Sequence, residues 1–205
     1  HDPARFGDVN IAATAPFNQD EESSGVLDAQ EVLGPGWNLI VDQAHYNTGI
    51  PASIVEGGQL LALYNPRTFR SYALSQGIGI STKQTPYLEP VKESVEFHSI
   101  LSANDSIGGY KMVGVPDGLG AYDNGDGTFT LLMNHELQST QGAVRAHGSI
   151  GAFVSKWIIR KNNLKVVSGA DLIQQVNLWN GSGYDTYSAS NPSSLAAFGR
   201  FCSAD

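Results

Sequence analysis

Two short acidic motifs lie on either side of a hairpin signal, and their side chains are well suited to metal chemistry. They are Pro116-Asp117-Gly118-Leu119 and Asn134-His135-Glu136-Leu137. Asp117 follows one predicted strand and Glu136 follows another, and strand ends bring side chains to a rim where several loops converge. Carboxylates gathered at a rim are ligands for calcium or another hard metal ion. The alternative is that Asp117 caps a turn and that the second motif is ordinary loop.

A further acidic group is the triplet Asp20-Glu21-Glu22, which precedes Ser23-Ser24-Gly25. Adjacent carboxylates repel one another unless a cation or solvent screens their charges. The triplet therefore adds three candidate metal ligands, and a solvated acidic loop is the alternative. The segment Asp123-Asn124-Gly125-Asp126-Gly127 lacks the third ligand position and the terminal Glu of an EF-hand calcium loop, so we interpret it as a hairpin turn.

Basic and imidazole side chains form a third set of candidates. Arg145-Ala146-His147-Gly148 combines a guanidinium suited to oxyanion recognition with an imidazole that can move protons or bind a metal. His45 has the same two possibilities, and a structural role fits each of these residues equally well. The sequence contains no P-loop, G-x-S-x-G, H-E-x-x-H or paired C-x-x-C motif.

Short strands separated by turns are the elements that must position these groups. Apolar runs predict strands over residues 37–42, 59–64, 95–101 and 111–115. Hairpins are predicted over 120–133, where two apolar runs flank an Asn-Gly-Asp-Gly turn, and over 153–167. Residues 1–25 and 180–194 are predicted as loops, 65–93 as a linker or long surface connection, and 194–201 as one or two helical turns. No long segment has helical periodicity, so the predicted fold class is all-β.

Composition supports a folded domain and argues against two classes of partner. The chain has 205 residues, of which 41% are hydrophobic and only 16% are charged, and its 23 glycines suit a fold with many turns. The formal net charge of −8 argues against nucleic acid or an anionic membrane surface as the main partner. No run approaches the ~20 apolar residues of a membrane span.

A single cysteine does not fix the redox compartment. Cys202 is the only cysteine in the sequence, so no intrachain disulfide can form. It is a buried apolar residue, a metal ligand or an unpaired thiol. The chain begins at His1 rather than Met, which we interpret as a processed or trimmed product.

Several segments together resemble the PhoX-like family of secreted bacterial proteins. They are VPDGLGAYDNGDGTFTLLMNHEL (115–137), RAHGSIGAFVSKWII (145–159) and RFCSAD (200–205). The resemblance implies a β-propeller, a secreted, periplasmic or extracellular location, and a central site holding calcium and iron. It implies that Asp117 and Glu136 lie near the metals, and that Cys202 is a candidate iron ligand because PhoX-type iron sites use a cysteine.

The segments that resemble this family occur in an unusual order. Residues 1–70, with DEESSGVLDAQEVLGPGWNLIVDQAHY and VEGGQLLALYNP, resemble the C-terminal blade, whereas residues 71–205 resemble the N-terminal blades. The family's middle is missing. A closed propeller places its termini side by side, so circular permutation is sterically cheap there. The alternative is a fragment or a cleaved chain. Either way the propeller is incomplete, and we expect another chain with the remaining blades, or self-association, to cover the exposed strand edges.

The resemblance leads to two hypotheses about function. In the first, metals held by Asp117, Glu136 and the triplet polarise a phosphate ester for hydrolysis, and His135, Arg145 and His147 assist. In the second, a non-catalytic, calcium-stabilised propeller binds a protein, a glycan or an apolar small ligand. Trp37, Trp157 and Trp179 are predicted to lie in the core in either case.

Overall fold

The structure, a computed structural model, describes residues 1–65, 77–78, 80–92 and 94–201. In this part the helices are α1 (Pro3–Phe6) and α2 (Gln30–Leu33), with one 3₁₀ turn over Ser194–Ala196. The strands are β1 (Glu21–Asp28), β2 (Trp37–Ala44), β3 (Gly57–Tyr64), β4 (Gly77–Ile78), β5 (Glu96–Ser102), β6 (Ser106–Ile107), β7 (Tyr110–Lys111), β8 (Pro116–Asp123), β9 (Thr128–His135), β10 (Phe153–Arg160), β11 (Val166–Asp171), β12 (Val176–Trp179) and β13 (Tyr184–Tyr187). The all-β prediction is confirmed.

The strands form two main sheets and two small ribbons. Sheet A has the order β1-β2-β3-β5-β4, and sheet C has the order β11-β10-β9-β8. The ribbons are β12-β13 and β6-β7, and every pairing is antiparallel except the short β4–β5 contact. Sheet A takes strands from both sides of residue 70, because β3 pairs with β5 from Gln59↔Ser102 to Tyr64↔Glu96. The two segments distinguished in the sequence therefore share one sheet.

The main core lies between sheets A and C. Alternate residues of β2 and β3 supply one side of it, and the inward residues of β9, β10 and β11 supply the other. Its members include Trp37, Leu39, Val41, Leu60, Ala62, Phe129, Leu131, Met133, Trp157, Ile159 and Val166. The predicted core positions of Trp37 and Trp157 are confirmed at 4% and 0% exposure, whereas that of Trp179 is wrong, since it is 61% exposed.

The opposite face of sheet A, here called the outer face, is also covered. Ile40, Leu61 and Phe97 form one buried cluster there. Phe6, Ala44, Tyr46 and Tyr87 form a second, against which Phe17 packs. Edge-to-face contacts join these rings, with centroids 5.0 Å apart for Phe6 and Phe17. The N-terminal segment and the loop around Tyr87 therefore close this face of the sheet.

Local sequence signals located most elements, with three errors. The hairpins β8–β9 and β10–β11 are confirmed. The strand predicted over residues 111–115 is wrong, because only Lys111 is in a strand and the next strand starts at Pro116. The loops predicted over residues 1–25 and 180–194 are wrong in part, since they contain the start of β1 and all of β13. Part of the linker predicted over 65–93 lies outside the described residues.

No helix in the described ranges is both long and apolar enough to cross a membrane.

Candidate functional site

Strands of both main sheets begin or end at one common edge, here called the rim. In sheet A the register pairs Glu21 with Ala44 and Ala44 with Gly57. In sheet C it pairs His135 with both Pro116 and Phe153. The starts of β1, β3, β8 and β10 therefore lie beside the ends of β2 and β9, which is the arrangement that gathers loop side chains from distant parts of a chain.

Close backbone approaches hold the two sheets together at the rim. A Cβ on Gly25 would lie 2.0 Å from the carbonyl oxygen of Asp117, and one on Gly58 would lie 2.6 Å from Cδ of Pro116. Ser24 Oγ also donates to the carbonyl of Pro116 at 3.3 Å. Glycine is required at both positions because any side chain would push β8 away from β1 and β3.

Asp117 and Glu136 are both buried at the rim. Asp117 is the second residue of β8 and is 4% exposed. The sequence predicted that it follows the end of a strand, whereas it lies at the start of one. Glu136 follows β9 directly, is 9% exposed, and its amide donates to Val115 at 2.9 Å. Its carboxylate pairs with Arg200 at 2.5 Å. The exposed guanidinium supplies the positive charge that this buried carboxylate requires.

The acidic triplet does not act as a single group. Glu21 and Glu22 belong to β1, where they pair with Ala44 and Gln43, and alternation along the strand sends their side chains to opposite faces. Glu21 lies on the outer face, whereas Asp20 and Glu22 are exposed. The three carboxylates therefore do not share one face, and their role as metal ligands stays a prediction.

A buried carboxylate that the sequence did not single out lies beside Glu21. Asp42 is 0% exposed, and its Oδ1 accepts from His1 Nε2 at 2.7 Å and from Ser23 Oγ at 3.2 Å. Its Oδ2 and Glu21 Oε2 are buried without a hydrogen-bond partner among the described residues. Burial raises the pKa of Asp42 to about 7. Burial, and then the charge of Asp42, raises the pKa of Glu21.

His135 has both ring nitrogens in contact with other protein atoms. Nδ1 donates to the carbonyl of Gly114 at 3.0 Å, which leaves Nε2 to accept from Ser155 Oγ at 2.9 Å. The ring stacks on Phe153 with centroids 4.3 Å apart. Burial lowers its pKa to about 4, so the imidazole is neutral at physiological pH. This environment gives it a clear structural role under the rim.

Arg145 is surrounded by partners from three elements. Its Nε donates to Asp171 Oδ1 at 3.0 Å and its Nη2 donates to the Tyr110 hydroxyl at 2.7 Å. The guanidinium carbon also lies 3.9 Å from the centroid of the Phe153 ring. Because Asp171 already accepts from this guanidinium, an oxyanion would have to compete with an internal carboxylate.

His147 is fully buried beneath the C-terminal segment. Its ring lies 4.8 Å from the ring of Phe198, and neither nitrogen has a hydrogen-bond partner in the described part of the chain. Burial lowers its pKa, which keeps the ring neutral and able to pack as an apolar group. The structure thus brings Arg145 and His147 together near Asp171, but away from solvent.

His45 and Glu56 form a polar pair at the rim that sequence reasoning saw only in part. His45 was recognised as ambiguous, whereas Glu56 was missed because its partner is set by strand pairing. His45 follows Ala44 and Glu56 precedes Gly57, and Ala44 and Gly57 form the last pair of the β2–β3 ladder. His45 Nδ1 lies 2.9 Å from Glu56 Oε1. The side chains are 26% and 23% exposed. A signal was available, since Glu56 directly precedes Gly57-Gly58, which lead into the strand predicted over residues 59–64.

An open cavity of about 490 Å³ lies between the β2–β3 connection and the segment that follows β9. Its lining includes residues next to His45 and Glu56 in the chain and residues that follow Glu136: Asn47, Ile50, Ala52, Val55, Thr140, Gln141 and Gly142. The wall is supported by a buried apolar cluster that includes Ile54, Val115 and Leu137.

Two facts bear on the predicted metal ligands. Cys202 lies outside the described residues. Within the described ranges, no group of three or more His, Cys, Asp or Glu side chains is arranged so that it could hold a metal ion.

Comparisons with protein-family models, with curated proteins and with solved structures return no match for this chain.

Proposed function

We propose that the rim is a cation site of an incomplete PhoX-like propeller that hydrolyses phosphate esters. The observation that supports this proposal is the burial of Asp117 and Glu136 where the strands of two sheets begin and end. Calcium prefers oxygen ligands from converging loops, and the carboxylates of Asp117 and Glu136 can supply such oxygens. Iron is the second metal of the proposal, with Cys202 as its candidate ligand.

The remaining cation ligands are proposed to come from a partner. A chain carrying further blades, or a second copy of this chain, would bring its own loops to the rim and cover strand edges. Among the described residues, the cation that contacts Glu136 is Arg200, whose side chain is 63% exposed. A metal ion would take the place of this guanidinium. The phosphoryl oxygen would then be polarised by the metal, which also neutralises its developing charge.

Calcium is expected to stabilise the protein through this site. At a calcium concentration 100 times the dissociation constant, the free energy of unfolding should rise by about 2.7 kcal/mol. For a chain of this size that corresponds to an increase in Tm of roughly 5–10 °C. Differential scanning calorimetry with calcium and with chelator measures the difference, and a p-nitrophenyl phosphate assay of calcium- and iron-loaded protein tests turnover.

Variants of acidic residues in β8 and just after β9 test whether calcium stabilises the protein at the rim. Asp117→Asn and Glu136→Gln should each abolish the calcium-dependent shift. Asp123→Asn is the control, because Asp123 lies at the far end of β8, about 20 Å from Asp117, and is not buried. An equal calcium shift in all four proteins would show that calcium binds elsewhere.

A second candidate function is that of a non-catalytic, glycan-binding domain, and the β12–β13 ribbon favours it. Trp179 and Tyr184 face each other there at 61% and 70% exposure, with ring centroids 5.3 Å apart. Exposed aromatic pairs are typical of binding surfaces. On a glycan array, Trp179→Ala should lose any binding that the wild type shows, whereas Val167→Ala, an exposed apolar control, should retain it. Calcium stabilisation without phosphate-ester turnover would favour this function over hydrolysis.

A further inference from the structure

The turn between β10 and β11 carries a large share of the positive charge of this acidic chain. The chain has 12 Lys and Arg residues against 20 Asp and Glu residues, yet Arg160, Lys161 and Lys165 lie within six positions of one another. The turn lies at the end of sheet C opposite the rim, since β10 runs from Phe153 at the rim to Arg160. A local group of cations in an acidic chain attracts anions to this end of the sheet.

Two of these cations share an open cavity of about 480 Å³. Its lining joins three parts of the chain, because it includes Arg160 and Lys165 from the turn, Ser81 from the segment after β4, and Ser106 from β6. None of the described residues that line it is Asp or Glu. The cavity is large enough for a small anion, and its walls carry positive charge without an opposing carboxylate.

Backbone hydrogen bonds hold three of the lining residues next to one another. The amide of Arg160 donates to the carbonyl of Lys165 at 2.9 Å, which closes the turn. The amide of Val166 donates to Ser81 Oγ at 2.9 Å. Because β11 is an edge strand of sheet C, Ser81 supplies the acceptor that a further strand would otherwise offer. Ser81 is therefore fixed beside Lys165.

The polar side chains of this cavity have hydrogen-bond donors to spare. The side chains of Arg160, Lys165 and Ser106 make no hydrogen bond or ion pair with a described residue. Ser81 Oγ accepts from Val166, so its own proton stays available. Lys161 differs, because its Nζ pairs with Asp123 Oδ2 at 2.5 Å. Since guanidinium and ammonium groups donate and never accept, a matching ligand must bring acceptors and negative charge.

We infer that this cavity binds a tetrahedral oxyanion, phosphate or sulfate, through Arg160 and Lys165, with Ser81 and Ser106 as hydroxyl donors. The planar fork of Arg presents parallel N–H groups to two oxygens of such an anion, and Lys adds a point charge. The same chemistry serves a free ion and the terminal group of a phosphate or sulfate ester. The site is independent of the proposed cation site at the rim, because it lies at the other end of sheet C and uses no metal.

Isothermal titration calorimetry of the full chain with inorganic phosphate, sulfate and methyl phosphate tests this site, in chloride buffer with chelator. Arg160→Gln and Lys165→Gln should each weaken binding by about 10-fold or more, because each removes a charge-assisted hydrogen bond. Arg160→Lys should recover part of the loss, since it keeps the charge without the fork. Lys156→Gln is the matched control, because Lys156 lies on the same face of β10 and does not line the cavity. It should bind like the wild type.

Amide NMR spectra locate the bound anion independently of the heat of binding. Phosphate should shift the amide signals of Ser81 and Val166 in the wild type, and Asp117→Asn at the rim should leave these shifts unchanged. Methyl phosphate binding as tightly as phosphate would identify the ligand as an ester group, whereas binding of the inorganic ions alone would identify a free ion.

Three results would overturn the inference. The first is that none of the three anions binds saturably or shifts these amides. The second is that the double variant Arg160→Gln with Lys165→Gln, which should keep the wild-type Tm because both side chains are exposed, still binds like the wild type. The third is that Lys156→Gln weakens binding as much as Arg160→Gln, since the anion would then respond to net charge rather than to this cavity.

Discussion

Replacement of Arg145 by Met is expected to lower the free energy of unfolding by about 3–5 kcal/mol, because it leaves Asp171 buried without its counter-charge. Arg145 and Asp171 have side chains only 13% and 9% exposed. Asp171 also accepts from the Tyr110 hydroxyl at 2.6 Å and from the amide of Ala146 at 2.7 Å. Burial opposes ionisation of Asp171, but these hydrogen bonds and the guanidinium outweigh it and lower its pKa.

The measurement is urea unfolding followed by circular dichroism, with Tm as a second readout. A loss of this size should lower Tm by roughly 6–20 °C. The double variant Arg145→Met with Asp171→Leu is the informative control, since removing both charges leaves no unpaired ion in the core. It should be more stable than Arg145→Met alone. If the double variant is the less stable of the two, the hydrogen bonds that Asp171 accepts from Tyr110 and Ala146 contribute more than its unpaired charge costs.

Replacement of Asp42 by Asn should stabilise the protein at pH 8 and have little effect near pH 4.5. The pKa of Asp42 is raised from 3.8 to about 7, with burial as the main cause. The folded state therefore binds this proton more tightly than the unfolded state. The stabilising effect of the protonated group is complete below about pH 4 and is lost as the pH rises to about 7.

The size of this effect follows from the shift. About three pKa units correspond to at most about 4 kcal/mol at pH 8. The Asn amide would lie where Oδ2 has no partner, which costs about 1 kcal/mol, so a net gain of about 1–3 kcal/mol is expected. The Asn carbonyl can still accept from Ser23.

Chemical unfolding from pH 4.5 to 8 in the presence of chelator measures this gain without interference from cations. Asp20→Asn is the matched control, because Asp20 is exposed and lies beside the same cluster. Its stability relative to the wild type should stay nearly constant over this range. A loss of stability in Asp42→Asn that grows with pH would show that ionised Asp42, paired with His1, holds the N-terminal segment in place.

The β-hairpins could be predicted from sequence because their signals are local. Gly125 and Gly127 adopt positive φ angles of 78° and 84° in the turn between β8 and β9, as the Asn-Gly-Asp-Gly run indicates. The runs around Trp37 and Leu60 likewise predicted β2 and β3, since buried strands need apolar side chains on the faces that pack. The all-β class followed from these elements and from the number of glycines.

The errors occurred where tertiary contacts outweigh local pattern. The start of β1 is polar and was predicted as loop, but it is a strand because β2 offers it a ladder from Ala44 to Asn38. The ribbon β12–β13 was missed for a different reason: it is a local hairpin, but its Gly/Ser-rich turn and exposed aromatic residues lack a buried apolar face. Trp179 was predicted to be buried on the basis of residue type, although an isolated ribbon has little core to offer it.

The sequence by itself determined the strand-rich class and the two central hairpins, and it identified acidic residues as candidate ligands. Only the tertiary structure decided which of those residues meet. The rim exists because Ser24 and Pro116, 92 residues apart, are brought into contact by the packing of sheet A on sheet C. The faces of Glu21 and Glu22, the burial of Asp42 and the pairing of His45 with Glu56 follow from register. Register depends on which strands pair, and that information is not contained in any local stretch of the chain.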